Sequence, residues 1–153
     1  MRAGRDQLTG GSYLGPEKNT QVVTLLLERA GEELWRSSAP GIRPLVAAVL
    51  ALGPALRGAR AYDKVVGLAS AKLLVYAGVI EAEAELASSV AEEFAAKQGL
   101  TLRASEVVPA VLNQDRTGQC PMEALALEHE AAEAFFEAVV QRLGLSWESA
   151  GGT

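Results

Sequence analysis

Short apolar segments alternate with helical segments through the middle of this chain, and this alternation constrains the fold most. "ARAYDKVVGLASAKLLVYAG" predicts a strand over residues 59–62 that turns directly into a helix over about 64–76. "VIEAEAEL" alternates apolar and acidic residues, as in a strand with one wet face. "SSVAEEFAAKQG" predicts a helix capped by Ser89 and Glu92, "LTLRA" another strand, and "SEVVPAVLN" a turn or short helix. Strands alternating with helices favour a three-layer α/β/α fold.

The flanking segments extend this pattern at both ends. "QVVTLLLERAGEELWR" predicts an N-terminal β-hairpin, with strands over 22–28 and 33–36 joined by a turn at Ala30-Gly31. "GIRPL" leads into an apolar helix over 45–52. "PMEALALEHEAAEAFFEAVVQRLG" predicts a long final helix with one interruption allowed.

Glycine-rich polar segments mark the ends of the domain. Residues 1–19 predict a flexible N-terminal arm, and residues 146–153 predict a flexible tail. The sequence therefore predicts a single α/β domain over residues 20–145.

Composition excludes several classes of partner. The 153 residues carry a net charge of -5, so a broad basic surface for nucleic acid is not expected. No apolar run is long enough to span a membrane. The single cysteine excludes an intrachain disulfide framework and suits a reducing compartment. We therefore expect a cytoplasmic protein without nucleic-acid or membrane partners.

The only cysteine lies in "NQDRTGQCPME". Proline is favoured at the first helical position, so Cys120 is predicted at the N-cap of a helix and Glu123 three residues later. In the structural alternative, Glu123 reaches back to the Cys120 N–H and completes a capping box. In the functional alternative, the helix dipole gives Cys120 thiolate character, as a nucleophile or metal ligand needs. Gly118 would let a substrate come close.

"DKVVG" is the second candidate motif. Asp63 and Lys64 are predicted where a strand ends and a helix begins, and ligands bind α/β sheets at the carboxyl ends of strands. The structural alternative is that Asp63 caps the helix and Lys64 is solvated.

Further residues complete the candidate site. Cys120, Asp63 and Lys64 are the candidate catalytic residues. Candidate ligand-binding residues share a loop or helix-start position, and they are Arg43, Asn113, Arg116, Thr117, Gly118 and Glu123. Arg43 and Arg116 could hold an anion, although an exposed surface arginine is the structural alternative for Arg43. His129, between glutamates, is expected to be solvated, which argues against a Cys-His protease or a histidine-rich metal site.

Two motifs in a fixed order carry a resemblance to a known family. "DKVVGLASAKLLVYAGV", then a strand and a helix, then "VVPAVLNQDRTGQCPME" resembles an uncharacterised bacterial family, known only as a domain of unknown function. The hairpin and the "GIRPL" segment fit that family too, so the resemblance covers about Val22 to Glu123. It implies a cytidine-deaminase-like α/β fold.

The resemblance allows a test against zinc deaminases, which use H-x-E at one helix start and P-C-x-x-C at the next. If "DKV" occupies the first position, Asp63 replaces the histidine and Val65 replaces the catalytic glutamate. At the second position Glu123 replaces the second cysteine. The resemblance therefore implies a protein without standard zinc deaminase activity.

Three hypotheses follow. In the first, the protein binds a small molecule or nucleotide-like ligand at the Asp63/Lys64 and Cys120 helix starts. In the second, Cys120 acts as nucleophile or metal ligand of an enzyme. In the third, the motifs are helix caps of a structural or interaction module. The first two require Asp63 and Cys120 to converge. The sequence assigns no metal site, although Asp63, Cys120 and Glu123 could together hold a metal other than zinc. It identifies no cofactor and is compatible with a homo-oligomer of undefined stoichiometry.

Overall fold

The computed structural model describes residues 22–110 and 121–145, which form six strands and five α-helices. The strands are β1 (Leu25–Arg29), β2 (Glu32–Ser37), β3 (Arg60–Asp63), β4 (Val65–Val66), β5 (Glu81–Ser88) and β6 (Thr101–Val108). The helices are α1 (Arg43–Leu52), α2 (Leu68–Ala77), α3 (Ser89–Gln98), α4 (Pro121–Glu128) and α5 (Ala132–Leu143), with a short 3-10 helix at Gly53–Leu56. This mixed α/β architecture is consistent with the predicted three-layer α/β/α fold.

All six strands belong to one sheet. β1 pairs antiparallel with both β2 and β3, whereas β5 pairs parallel with β3, β4 and β6. Two crossovers, one through α2 and one through α3, join the parallel strands, as the alternating pattern predicted. The N-terminal hairpin is confirmed: Ala30 (φ 54°) and Gly31 (φ 80°) form the two-residue turn between β1 and β2.

Helix α2 lies at the centre of the helical packing. It contacts the four other α-helices, and eight of its ten residues are buried. Because the helix is apolar around most of its circumference, it suits an enclosed position rather than a surface one. Its side chains join one core with α1, α4, α5 and the strands, in which Phe135, Leu27 and Leu73 are fully buried.

The structure corrects the prediction that α2 follows β3 directly. Val65 and Val66 pair with β5 instead, and α2 begins only at Leu68. Tyr62 pairs with Glu83 and Val65 with Leu86, so β4 continues the registration of β3 after an interruption at Lys64. The β-branched side chains of the two valines favour this extended conformation.

Two other boundaries also differ from the prediction. Ser88, not Ser89, caps α3, because its hydroxyl accepts a hydrogen bond from the Ala91 N–H (3.1 Å). β6 runs to Val108, where a turn or short helix was predicted, because it pairs with β5 along its whole length. The final helical region is interrupted once, between α4 and α5.

The predictions for the ends of the chain remain untested. The arm (1–19) and the tail (146–153) lie outside the described residues. Within the described ranges, no helix is long and apolar enough to cross a membrane.

Candidate functional site

A cavity of about 410 Å³ lies where the carboxyl end of β3 meets the starts of α2 and α4. Its volume is within the range of small-molecule sites. Its walls come from four parts of the chain, and the lining residues are Thr24, Pro40, Gly41, Ile42, Asp63, Lys64, Val65, Gly67, Ala69, Ser70, Met122 and Glu123. Residues of both predicted motifs therefore line one cavity.

Glu123 joins α4 to the start of α2. Its carboxylate accepts hydrogen bonds from the backbone N–H groups of Leu68 and Ala69, both at 2.8 Å. These are the first two N–H groups of α2, which no intrahelical carbonyl can satisfy. The negative charge also complements the positive end of the helix dipole. Glu123 thus caps the neighbouring helix α2, whereas the predicted capping box involved only α4, the helix to which Glu123 belongs. The Cys120 N–H, the partner in that predicted box, lies outside the described residues.

Gly67 allows this approach. It occupies the N-cap position of α2 and offers no side-chain cap of its own. A Cβ atom on residue 67 would lie 2.6 Å from Oε2 and 2.7 Å from both Cδ and Oε1 of Glu123. Gly67 was not predicted as a site residue, although it is the last residue of "DKVVG" and glycine allows close backbone approach.

Asp63 lies half-buried at the end of β3. Because β4 separates it from α2, the structural alternative in which Asp63 caps the α2 N-terminus directly is wrong. Its carboxylate instead accepts hydrogen bonds from the Ser70 hydroxyl and the Val65 N–H. Burial raises the pKa of Asp63 from 3.8 to about 7, and these two hydrogen bonds oppose the shift. Near neutral pH this carboxyl is therefore present in both protonation states.

Lys64 is fixed through its backbone. Its carbonyl accepts hydrogen bonds from the N–H groups of Glu85 and Leu86, both at 3.1 Å, and its own N–H donates to Thr24 O (2.9 Å). The side chain is half-buried at the cavity wall, and within the described ranges its ammonium forms no ion pair. Lys64 is therefore a cavity residue at a strand interruption, not the start of a helix.

Lys72 is a buried charged residue of α2 that was not predicted from the sequence. Its side chain is buried in the middle of α2, with a residue exposure of 4%. The ammonium donates to the carbonyl oxygens of Ala126 (2.8 Å), His129 (2.6 Å) and Glu130 (3.0 Å), at the end of α4. Burial lowers the pKa of Lys72, and the charges of Glu130 and Glu123 oppose this shift. A lysine inside the apolar run "GLASAKLLVYAG" was the available signal, because a buried ammonium needs several acceptors.

The remaining predicted residues divide into two groups. Arg43 is exposed and does not line the cavity; its Nη2 donates to the carbonyl of Leu143 (3.4 Å) at the end of α5. The loop residues Asn113, Arg116, Thr117, Gly118 and Cys120 lie outside the described residues. The described ranges contain no group of three or more His, Cys, Asp or Glu residues that could hold a metal ion.

The fold and the cavity define a class of mixed α/β protein with a ligand-sized site at the carboxyl end of a parallel strand.

A family model described as "TM1506: Domain of unknown function (DUF1893)" matches residues 18–143, and the chain belongs to this family. The chain is also similar to the crystal structure of a DUF1893 family protein (TM1506) from Thermotoga maritima. The two are 28% identical, with a TM-score of 0.71 over 78% of this chain and 80% of that chain. No curated protein matches. The predicted membership of a domain-of-unknown-function family is thus confirmed.

Proposed function

We propose that this DUF1893 protein is a cytidine-deaminase-like α/β protein that binds a small molecule or nucleotide-like ligand and lacks standard zinc deaminase activity. One observation carries the proposal: Asp63 and Lys64 of the first motif and Glu123 of the second line the same cavity. Had the two motifs been unrelated helix caps, nothing would require them to share a space of ligand size.

The residues at the α2 start argue against zinc deamination. A zinc deaminase carries H-x-E at this helix start, with a histidine ligand and a glutamate that transfers protons. Here the start of α2 is Gly67-Leu68-Ala69, which offers neither an imidazole nor a carboxylate. The predicted register, with Asp63 and Val65 at these positions, is wrong because α2 begins further along the chain, but the conclusion from it is the same. The described residues therefore do not fit a deaminase zinc centre.

The walls of the cavity suit a compact organic ligand. Ile42, Val65 and Met122 supply apolar surface, as most small-molecule sites do. Asp63 supplies a carboxyl group that can donate or accept a hydrogen bond near neutral pH, since its pKa is about 7. This combination fits a heterocycle with hydrogen-bonding edges better than a purely apolar ligand.

A ligand screen tests the proposal. Thermal unfolding is followed with nucleosides, nucleotides and related metabolites, and hits are titrated by calorimetry. A ligand at about 100 times its Kd adds roughly 2.7 kcal/mol to the free energy of unfolding, an easily measured shift. We expect at least one stabilising compound, weakened binding in Asp63→Asn, and no release of ammonia from cytidine. A panel without any stabilising compound contradicts the binding function, and ammonia release contradicts the absence of deamination.

A second candidate function is an enzyme with Cys120 as nucleophile. Met122 and Glu123, which follow Cys120 closely in the chain, line the cavity, and this favours it. The pH dependence of alkylation measures the thiol pKa. A value well below about 8.5 supports the enzyme, and a value at about 8.5 removes the activated thiol that it requires. A cytoplasmic location, a bacterial source and homo-oligomerisation stay predictions from the sequence.

A further inference from the structure

We propose that the part of the cavity lined by Asp63 and Glu123 takes a cationic group of an organic ligand, such as an amidinium, a guanidinium or a protonated amine, and excludes anionic groups. This inference rests on the proposed function and names the ligand class of the same site. It follows from a comparison of the charged groups in the cavity wall: some of them already have interaction partners, and others do not.

The position where an anion would bind is already filled. The first N–H groups of a helix are the usual binding site for phosphate or carboxylate groups. Here Glu123 accepts from the N–H groups of both Leu68 and Ala69 at 2.8 Å, and its side chain is buried against Gly67. A ligand anion at this end would have to displace Glu123 or lie beside its negative charge. The α2 start therefore repels anions, although helix starts usually attract them.

Among the described residues, Asp63 is a carboxyl group of the cavity that forms no ion pair. Its hydrogen-bond donors are the neutral Ser70 hydroxyl and the Val65 N–H. A carboxylate can accept about four hydrogen bonds, so this one keeps acceptor capacity toward the cavity. In the described ranges no Lys or Arg forms an ion pair with it. A carboxylate that is partly removed from water and has no cation beside it is destabilised, and a ligand cation would relieve that cost.

The other ionisable groups of the lining are consistent with this assignment. Among the described residues they are Lys64, from the same strand edge, and Glu123, from α4. The described lining thus contains one ammonium and two carboxyl groups. The Glu123 carboxylate is already compensated by the N–H groups of Leu68 and Ala69 and by its attraction to the Lys72 ammonium. The raised pKa of Asp63 agrees, because a carboxyl with a resident cation would titrate lower. A bound cation should expel the Asp63 proton, so its affinity should rise between about pH 6 and pH 8.

Three probes of one shape and different charge test the inference: benzamidine (cation), benzamide (neutral) and benzoate (anion). Their binding to the full chain is measured at about pH 8 by calorimetry and by amide NMR shifts. We expect benzamidine to bind at least about tenfold more tightly than benzamide and benzoate not to shift the cavity amides. Asp63→Asn should remove the advantage of benzamidine over benzamide. Lys64→Met should strengthen benzamidine binding, and Glu106→Gln, an exposed carboxyl outside the cavity, serves as the matched control.

Two results would overturn the inference. One is benzoate binding at the cavity as tightly as benzamidine. The other is absence of benzamidine binding up to roughly 10 mM, where a well-fitting ligand of this size should bind. Neither result decides the proposed function, because the metabolite screen judges that independently. Calorimetry in two buffers of different ionisation enthalpy adds a further readout: proton release on benzamidine binding is expected in the wild type and not in Asp63→Asn.

Discussion

The carboxylate of Glu123 occupies the space that a side chain on Gly67 would need. The nearest of its atoms, Oε2, lies 2.6 Å from the position of a Cβ atom on residue 67. Glu123 caps the start of α2, and Lys72 of α2 binds the carbonyl groups at the end of α4. The two helices are therefore held to each other at both ends of α4, and this pairing forms one wall of the cavity.

Gly67→Ala should lower the free energy of unfolding by about 1–3 kcal/mol, because the new methyl group overlaps the Glu123 carboxylate. Urea denaturation measures the change. The backbone of Gly67 (φ -94°) is open to any L-residue, so strain does not contribute. In a Glu123→Ala background the same substitution should cost much less. Equal costs in the two backgrounds would contradict the overlap.

Glu123→Gln should destabilise the protein by about 1–3 kcal/mol, since the amide keeps one acceptor oxygen and loses the charge. Hydrogen exchange should speed up at the Leu68 and Ala69 amides in particular. Glu128→Gln, an exposed change on the same helix, is the control and should stay within about 0.5 kcal/mol. Equal effects of the two substitutions would show that the cap contributes nothing.

Lys72→Met should cost about 2–4 kcal/mol, although it preserves the buried volume, because three carbonyl groups lose their donor. Thermal or urea unfolding measures the loss. Hydrogen exchange around residues 126–131 shows whether the junction between α4 and α5 loosens first. An unchanged stability would mean that water satisfies these carbonyl groups equally well.

Asp63 should make the protein less stable as the pH rises. Its folded-state pKa (about 7) exceeds its ordinary value (3.8), so the native state binds more protons between these pH values. The stability contributed by neutral Asp63 is fully present below about pH 4 and is lost as the pH rises through 7, by at most about 1.4 kcal/mol per pH unit. Asp63→Asn should therefore gain stability relative to the wild type from about pH 4 to pH 8. A constant difference across that range would contradict the raised pKa.

The sequence predicted the architecture because the periodic patterns are local. The hairpin follows from the turn at Ala30-Gly31 between two predicted strands, and the crossovers follow from alternation of strands and helices. The helix-start error at α2 has a physical reason. After Asp63 and Lys64 the segment "VVGLA" has no polar side chain, so helical spacing alone cannot show that Val65 and Val66 pair with β5 before the helix begins.

The site was predicted in part. Asp63, Lys64 and Glu123 were selected and line one cavity, but the mutual capping of α2 and α4 was not foreseen. A cap between residues 55 positions apart, such as Leu68 and Glu123, leaves no local spacing to recognise. The same limit applies to Arg43, whose partner at Leu143 lies 100 positions away.

Mapping a bound ligand onto the chain tests the central claim most directly. The strongest compound from the metabolite screen is added to isotope-labelled protein, and amide NMR shifts are followed in the wild type and in Asp63→Asn. The account predicts saturable shifts at Lys64, Gly67, Ser70 and Met122, which weaken in the variant. Shifts confined to another surface, such as the Tyr76–Phe136 stack at the other end of α2, would contradict it.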